Sequence, residues 1–448
     1  MKKTGVILVL LISLLPLYWF VQLLPQHPNA AIFSLYLGSL SLILMGLAQF
    51  MATRFKWLQT IFGGLDRIYV LHKWIGITAL GALLLHDTID ADIDGIAPET
   101  FLTDLAETLG ELSLYGILIL LIITIATFIP YHLWRWTHRF MGAFFALSVF
   151  HFVYIIKPFG TTEPLGLYVL FFCCMGIFGY LYSLLPKQWF GLGYRYVISG
   201  VKQSGDNTIL TLTPSGKRRL AHRAGQFAFL SIERAGLEEP HPYTISSGPR
   251  EDQSLEFTIK SLGDFTHALK HSQKKESLES TVVHIKGPYG LFERSRSGKT
   301  SVWIAGGIGI TPFKAWADTL KSGDSDCHLF YCINQRDQAA HLAELEELAT
   351  KHSCFHLHII ESSSQSRLSA QQIIDTVGEP ATDFKAFFCG PKSMRRALGS
   401  GLMEHGLRSS NFHFEEFEIR SGIGGRKMAM RALTLYQRFL ANRRQKQV

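Results

Sequence analysis

Residues 72–86 read H-K-W-I-G-I-T-A-L-G-A-L-L-L-H, an apolar run closed by a histidine at each end. His72 and His86 stand 14 residues apart. At about 1.5 Å of rise per residue this is roughly 21 Å of helix, inside a hydrocarbon core of about 30 Å. The spacing is also close to a whole number of turns, so both imidazoles fall near one helix face. Ionisable side chains within a membrane are costly and mark function by default. Two of them, one toward each leaflet, call for two partners on another helix. The chain supplies His138 and His151, 13 residues apart.

Composition places part of the chain in lipid: of 448 residues, 47% are hydrophobic and 18% charged. Apolar segments at 5–24, 31–51, 68–88, 113–130, 139–157 and 165–185 give six expected spans. The first follows Lys2 and Lys3 and is longer than a usual signal-peptide core, which favours a retained span over a leader cleaved near Asn29-Ala30-Ala31. Lys2, Lys3, Arg54, Lys56, Arg67, Arg135, Arg139 and Lys187 gather on one side. The other side carries Lys157 and an acidic loop with Asp87, Asp90, Asp92, Asp94, Glu99, Asp104, Glu107 and Glu111. The positive-inside bias then puts the N-terminus, and everything after Lys187, in the cytoplasm of a multi-pass plasma (inner) membrane protein. The net charge of +8 fits such loops, and no helix-turn-helix or zinc-finger pattern supports nucleic acid. The six cysteines suit neither a zinc site nor a disulfide framework, and C-x-x-C-H is absent.

The third and fifth spans run in the same direction, so His72 and His138 share the inner level and His86 and His151 the outer. Neutral imidazole is a good iron ligand and carries no charge into lipid. Two such pairs make two stacked b-type haem sites. Four unrelated histidines in polar helix contacts are the plainer alternative, against which their matched depth counts. A spacing of 13 places His138 and His151 well apart around an ideal helix, so the fifth span needs a kink, bulge or tilt. His132 is a spare candidate, but it lies 19 residues before His151, out of step with the third span.

After Trp189 the pattern becomes soluble. Short strands at 194–203, 207–213, 225–232, 254–260 and 281–286, with turn residues and no helices between them, suggest a small barrel. It carries three motifs. The first is His241-Pro242-Tyr243-Thr244-Ile245-Ser246. The second, Ile259-Lys260-Ser261-Leu262-Gly263-Asp264-Phe265-Thr266, enters a helix through a glycine turn whose exposed N–H groups suit a pyrophosphate. The third is Gly287-Pro288-Tyr289-Gly290. From Thr300, strands at 302–305, 327–333, 355–361 and 384–389 alternate with helices near 341–351, 369–376 and 391–405, a doubly wound nucleotide-binding pattern. Gly306-Gly307-Ile308-Gly309-Ile310-Thr311-Pro312 follows its first strand and opens a helix at Pro312. Such glycines let phosphate oxygens approach the backbone at a helix N-terminus. Cys389-Gly390-Pro391 follows the later strand.

These motifs resemble those of the ferredoxin–NADP reductase superfamily. With the six spans and paired histidines ahead of them, roughly residues 30–420 resemble the ferric reductase and NADPH oxidase family. The resemblance implies a multi-domain chain: an all-α six-helix transmembrane haem domain at 1–187, an all-β FAD-binding barrel at 190–298 and an α/β doubly wound NAD(P)-binding domain at 299–420. It implies His72, His86, His138 and His151 as haem ligands, since spacings of 14 and 13 are the family's own. It places Tyr243 on the isoalloxazine and Thr244 near N5, in a motif where His241 and Pro242 stand and soluble relatives usually have Arg for His241. Lys260, Gly263 and Thr266 match the FAD phosphate region. Gly306, Gly307, Gly309, Thr311 and Pro312, with Cys389, Gly390 and Pro391, match the NAD(P)H site. Phe417, in F-H-F-E-E-F, resembles the aromatic that covers the flavin and yields to nicotinamide.

The activity so implied moves electrons from cytoplasmic NAD(P)H, NADPH favoured, through FAD and two b-type haems to a small-molecule acceptor outside the membrane, a ferric chelate or dioxygen. It needs no side-chain acid, base or nucleophile, because the cofactors carry the chemistry. Arg336 and Arg367 are candidates to meet a 2′-phosphate. A haem subunit serving a quinone or a partner protein is the alternative. A transporter with proton-relaying histidines would leave the flavin and nucleotide motifs unexplained. Family oxidases commonly stop at the aromatic, whereas this chain continues through a basic segment, 421–448, with Ala429, Leu433, Tyr436 and Leu440 at helical spacing. It reads equally as a disordered tail or as an amphipathic helix on anionic lipid.

Overall fold

A computed structural model of the chain describes residues 2–89, 93, 96–125, 129, 131–185, 193–275, 277–295, 298–363 and 367–415. Phe417, Lys187, Asp90, Asp92, Asp94 and the segment 421–448 lie outside the described residues, as does the side chain of His132.

The N-terminal part is helical: α1 (Lys3–Leu14), α2 (Leu17–Leu23), α3 (Asn29–Met51), α4 (Lys56–Phe62), α5 (Leu65–Thr88), α6 (Phe101–Ile125), α7 (Tyr131–His138), α8 (Met141–Tyr154) and α9 (Pro164–Leu184). Among the described residues, five stretches are long and apolar enough to cross a membrane: α1–α2 taken together, α3, α5, α6 and α9. The break between α1 and α2 falls at Pro16, which lacks an N–H and crowds the carbonyl four residues back. The remaining expected span, 139–157, is instead the 14-residue α8, separated from α7 by a turn at Arg139 and Phe140. The fourth span starts earlier than hydropathy suggests. Asp104, Glu107 and Glu111 belong to α6 rather than to a loop, and their spacing of three and four puts all three on its exposed face while Ala106 is buried.

In this unit α3 packs along α9 and α6 along α8. Glycines bring α3 and α9 into backbone contact: a methyl group at Gly46 would lie 2.3 Å from the Phe172 carbonyl oxygen, and one at Gly179 2.8 Å from that of Gln49. Small residues at a seam serve helix association in lipid, where burying apolar surface adds no driving force. Across the other seam, Ser113 Oγ donates to the Phe144 carbonyl at 2.8 Å.

The second part opens with β1 (Tyr194–Ser204), β2 (Asn207–Pro214), β3 (Phe227–Ile232), β4 (His241–Thr244), β5 (Leu255–Lys260), α10 (Asp264–Lys275) and β6 (Val282–Tyr289). These strands form one antiparallel sheet in the order β4-β3-β6-β1-β2-β5. Its inner face is Tyr196, Ile198, Leu210, Leu212, Phe257 and Ile285, all essentially without solvent contact. Alternation along the strands puts these side chains on one side. β4, unanticipated as a strand, lies at the sheet edge, where Pro242 removes no ladder bond that the sheet requires.

Then follow β7 (Ser301–Gly306), α11 (Thr311–Ala317), β8 (Cys327–Ile333), α12 (Leu342–Lys351), β9 (Phe355–Glu361), α13 (Ala370–Val377), β10 (Lys385–Cys389), α14 (Lys392–Glu404) and β11 (Phe412–Glu415). The five strands are parallel, in the order β11-β10-β7-β8-β9. β7 is buried along its whole length, as expected for a strand covered on both faces. The chain winds outward from β7 through β8 and β9, then returns to place β10 and β11 on the other side. The switch point lies between β7 and β10, and ligands of open α/β sheets bind outside the carboxyl ends of the strands at such a point.

Candidate functional site

In the helical unit each of the four histidines is held through Nδ1. His72 Nδ1 lies 3.1 Å from the Ala48 carbonyl oxygen and His151 Nδ1 2.9 Å from that of Ala106. A carbonyl only accepts, so both Nδ1 atoms carry the proton. His86 Nδ1 lies 2.9 Å from Ser34 Oγ, whose hydroxyl also sits 3.0 Å and 2.9 Å from the carbonyls of His86 and Ile89. Donating to a carbonyl, Ser34 accepts from Nδ1–H. Thr124 Oγ1 likewise donates to the Leu120 carbonyl at 2.8 Å and accepts from His138 Nδ1 at 3.3 Å. All four rings therefore present Nε2 as the nitrogen with a free lone pair, the form in which imidazole binds a metal.

The arrangement is paired. α3 anchors both histidines of α5, through Ala48 and Ser34, while α6 anchors His138 at the end of α7 and His151 in α8, through Thr124 and Ala106. The ring centres of His72 and His138 lie 6.4 Å apart, with planes at 65°. That separation is of the size two imidazoles sharing one metal ion would take at about 2.0–2.1 Å per nitrogen. His86 and His151 each rest against a glycine. A methyl at Gly38 would come within 2.9 Å of His86 Nε2, and one at Gly110 within 2.6 Å of His151 Nδ1. The turn between α7 and α8 puts His138 and His151 on different helical segments, so the angular penalty of a 13-residue spacing does not arise.

In the second unit, β4 carries the H-P-Y-T motif on the sheet edge. Phe265 packs 4.2 Å from His241 and 6.4 Å from Tyr243, between ring centres, and His241 Nε2 lies 3.6 Å from Glu239. Thr244 is buried, and burial pushes the Tyr243 phenol above its usual range. The glycine turn before α10 differs from the open anion cradle expected there: the N–H groups of Leu262 and Gly263 both donate to Thr266 Oγ1, at 2.8 Å and 2.9 Å. Lys260 and Gly307 line one cleft together with Asn334 and Tyr331.

The turn after β7 and the turn after β10, more than eighty residues apart, are interlocked through glycine. A methyl at Gly309 would lie 2.1 Å from the Cys389 carbonyl oxygen, one at Gly306 2.6 Å from Pro391 Cδ and one at Gly390 3.0 Å from Gly306 Cα. Gly307 has φ of +56° and open space where a side chain would be, so there the backbone conformation requires glycine. Thr311 and Pro312 open α11, a favoured place for proline, and both are buried. Cys389 is buried, which holds its thiol well above its usual range, so it is a packed thiol rather than a reactive one.

One residue escaped the sequence reading. Glu415, at the end of β11, is opposite Cys389 in the register. Its carboxyl is buried, Oε2 has no hydrogen-bond partner among the described residues, and burial raises its pKa to about 8. Its only mark in the sequence is its place in F-H-F-E-E-F, two residues before Phe417.

The two units together make a membrane-embedded flavin and nicotinamide oxidoreductase. Residues 37–149 match the ferric reductase like transmembrane component, residues 195–293 an FAD-binding domain and residues 303–399 the oxidoreductase NAD-binding domain. In domain content and order, the chain has the architecture of the ferric reductase and NADPH oxidase family. Among curated proteins it is 25% identical to the toluate 1,2-dioxygenase electron transfer component of Pseudomonas putida, over 50% of this chain and 68% of that one. It is 26% identical to the carnitine monooxygenase reductase subunit of Escherichia coli K12, over 47% of this chain and 63% of that one. Among solved structures, the FAD/NAD-binding domain of nitric oxide dioxygenase from Vibrio cholerae aligns with a TM-score of 0.44 at 21% identity, covering 50% of this chain and 98% of that domain.

Proposed function

We propose that the protein carries electrons from NAD(P)H on the cytoplasmic side, through FAD and two b-type haems, to a ferric chelate or dioxygen on the other side of the membrane. The observation that carries this reading is the common state of the four histidines: Nδ1 satisfied by a neighbouring helix, Nε2 left for a metal. His72 and His138 would hold the inner haem, and His86 and His151 the outer. When bound, FAD supplies hydride acceptance and haem iron supplies one-electron transfer.

The chain's own residues position and exclude. Ala48, Ser34, Thr124 and Ala106 fix the imidazole orientation and tautomer. Tyr243 and Thr244 would bind the flavin, with Lys260 on its phosphates, and with Gly263 and Thr266 joining once a phosphate oxygen replaces Thr266 Oγ1 at the Leu262 and Gly263 N–H groups. The interlocked turns of Gly306, Gly307, Gly309, Thr311 and Pro312 with Cys389, Gly390 and Pro391 would seat the nicotinamide nucleotide at the switch point. Arg336 is paired with Glu346, so a 2′-phosphate would have to displace that carboxylate. NADPH preference then rests on whether it does, or on Arg367.

Purified protein in nanodiscs, supplied with NADPH or NADH, tests the reading. Expected is nucleotide oxidation coupled to ferric citrate reduction or oxygen uptake. Oxidation only when a quinone is added would favour the subunit alternative, and none with any acceptor would refute both.

A further inference from the structure

A buried polar network joins the antiparallel sheet to the nucleotide-binding sheet, and nothing in the reaction above uses it. At its centre is His341, whose side chain has no solvent exposure and which precedes α12 with φ of +61°. Non-glycine residues rarely hold this conformation without some compensating interaction. Its Nδ1 lies 3.1 Å from Glu344 Oε2, and its Nε2 lies 2.7 Å from Thr258 Oγ1 on β5. Thr258 Oγ1 donates to Ser246 Oγ at 3.0 Å, and Ser246 Oγ donates to Glu256 Oε1 at 3.4 Å. With Thr258 donating onward, both ring nitrogens of His341 face oxygen atoms able to accept.

Charged groups of both signs surround this ring. Lys314 Nζ, in α11 and 4% exposed, lies 2.8 Å from Asp318 Oδ1 and 3.1 Å from Glu344 Oε2. Arg250 Nη2 lies 3.6 Å from Glu256 Oε2, and Glu256 Oε1 lies 3.9 Å from His341 Nε2. A protonated His341 would join the cations Lys314 and Arg250 against the carboxylates Asp318, Glu344 and Glu256. Three of these groups form a cluster of metal-ligand type, Glu256, His341 and Glu344, but the Lys314 ammonium already holds Glu344 and Thr258 already holds Nε2, so a metal ion has no place there.

We propose that protonated His341 is the positioning residue that locks the nicotinamide turn to the flavin strands. The network touches both sides of the transfer: Ser246 lies two residues beyond Thr244, Thr258 two before Lys260, and Lys314 two beyond Pro312. Removing the imidazolium charge leaves the partly exposed Glu344 and the largely buried Glu256 one cation short, a cost that the structure relieves by opening the seam. Opening displaces donor from acceptor, and small misplacements cost large factors in rate. The inference rests on the proposed NAD(P)H-to-flavin reaction.

The test is stopped-flow on the full chain, comparing wild type, H341Q and the double variant H341Q/E256Q, which restores charge balance. Expected is flavin reduction by NADPH slowed at least tenfold in H341Q and recovered at least threefold in the double variant, with FAD content unchanged. An H341Q rate within twofold of wild type overturns the proposal. So does a double variant as slow as H341Q, which would make the role one of packing alone. If H341Q does not accumulate with flavin bound, T258V, which removes the acceptor at Nε2, is read the same way: slowing supports the lock and a wild-type rate overturns it. Failure of the wild type to reduce its flavin with either nucleotide would instead refute the underlying reading.

Discussion

In the helical unit each candidate ligand is aimed by a group reaching across from another helix: the Ala48 carbonyl and Ser34 hydroxyl on α3, the Ala106 carbonyl and Thr124 hydroxyl on α6. In the second unit the site is shaped largely by missing side chains, with Gly306, Gly309 and Gly390 letting two distant turns interlock. The contrast follows from the solvent. Lipid offers imidazole no hydrogen-bond partner, so the protein must supply one. A phosphate-bearing nucleotide instead needs close approach to backbone N–H groups, which side chains would block.

If the contrast is right, substitutions in the two units should fail differently. The largest effect is expected at the histidines. His72→Ala or His138→Ala should remove one haem of two, and transmembrane electron flow should fall by more than 100-fold while NADPH still reduces the flavin. Haem content by pyridine haemochromogen and flavin bleaching measure the two halves of this outcome. Next, Gly309→Val should overpack the interlocked turns, at about 1–3 kcal/mol or more, and weaken NADPH binding at least tenfold with haem content unchanged. Nucleotide titration by flavin spectral perturbation reads it.

Smaller effects should come from the helix-borne anchors. Ser34→Ala removes the partner of His86 Nδ1, and loss of such a supporting contact typically costs about 10–100-fold in metal affinity. The outer haem should be lost more readily on dilution or competition with apomyoglobin, and the inner one retained. The least effect on electron flow is expected at Glu415, which instead gives stability a pH dependence. Its folded pKa of about 8 lies above the unfolded range, about 4.3 for glutamate. Such a group contributes stability that is fully present below the unfolded value and is lost as pH rises through the folded one. Urea stability of the second unit should therefore fall between about pH 5 and pH 8, and Glu415→Gln should flatten that slope.

Much of this was legible in the residues because the governing patterns are local. The apolar runs mark the helices, and strands at 327–333 and 355–361 match β8 and β9 to the residue. An intramembrane histidine stands out against its neighbours, so His72, His86, His138 and His151 were visible at once. Features that depend on non-local packing were not. The earlier start of α6 is masked by acids that sit on its exposed face, and β4 is four residues with a proline, tolerable only because it is an edge. The Nδ1 anchors are ordinary Ala, Ser and Thr residues, two of them acting through backbone carbonyls that no sequence pattern reports. The network around His341 draws on Ser246, Thr258, Lys314 and Glu344 from separate elements, and only folding brings them together.

The central claim is that iron is held at two levels between the α5 pair and the α7–α8 pair of histidines. Its most direct test is the absorption and low-temperature EPR spectrum of the purified chain, expressed with ample 5-aminolevulinate. The account predicts two low-spin, bis-imidazole b-type haems per polypeptide, both reduced on adding NAD(P)H. A preparation with flavin bound but no Soret band, or with a single five-coordinate high-spin haem, would contradict it.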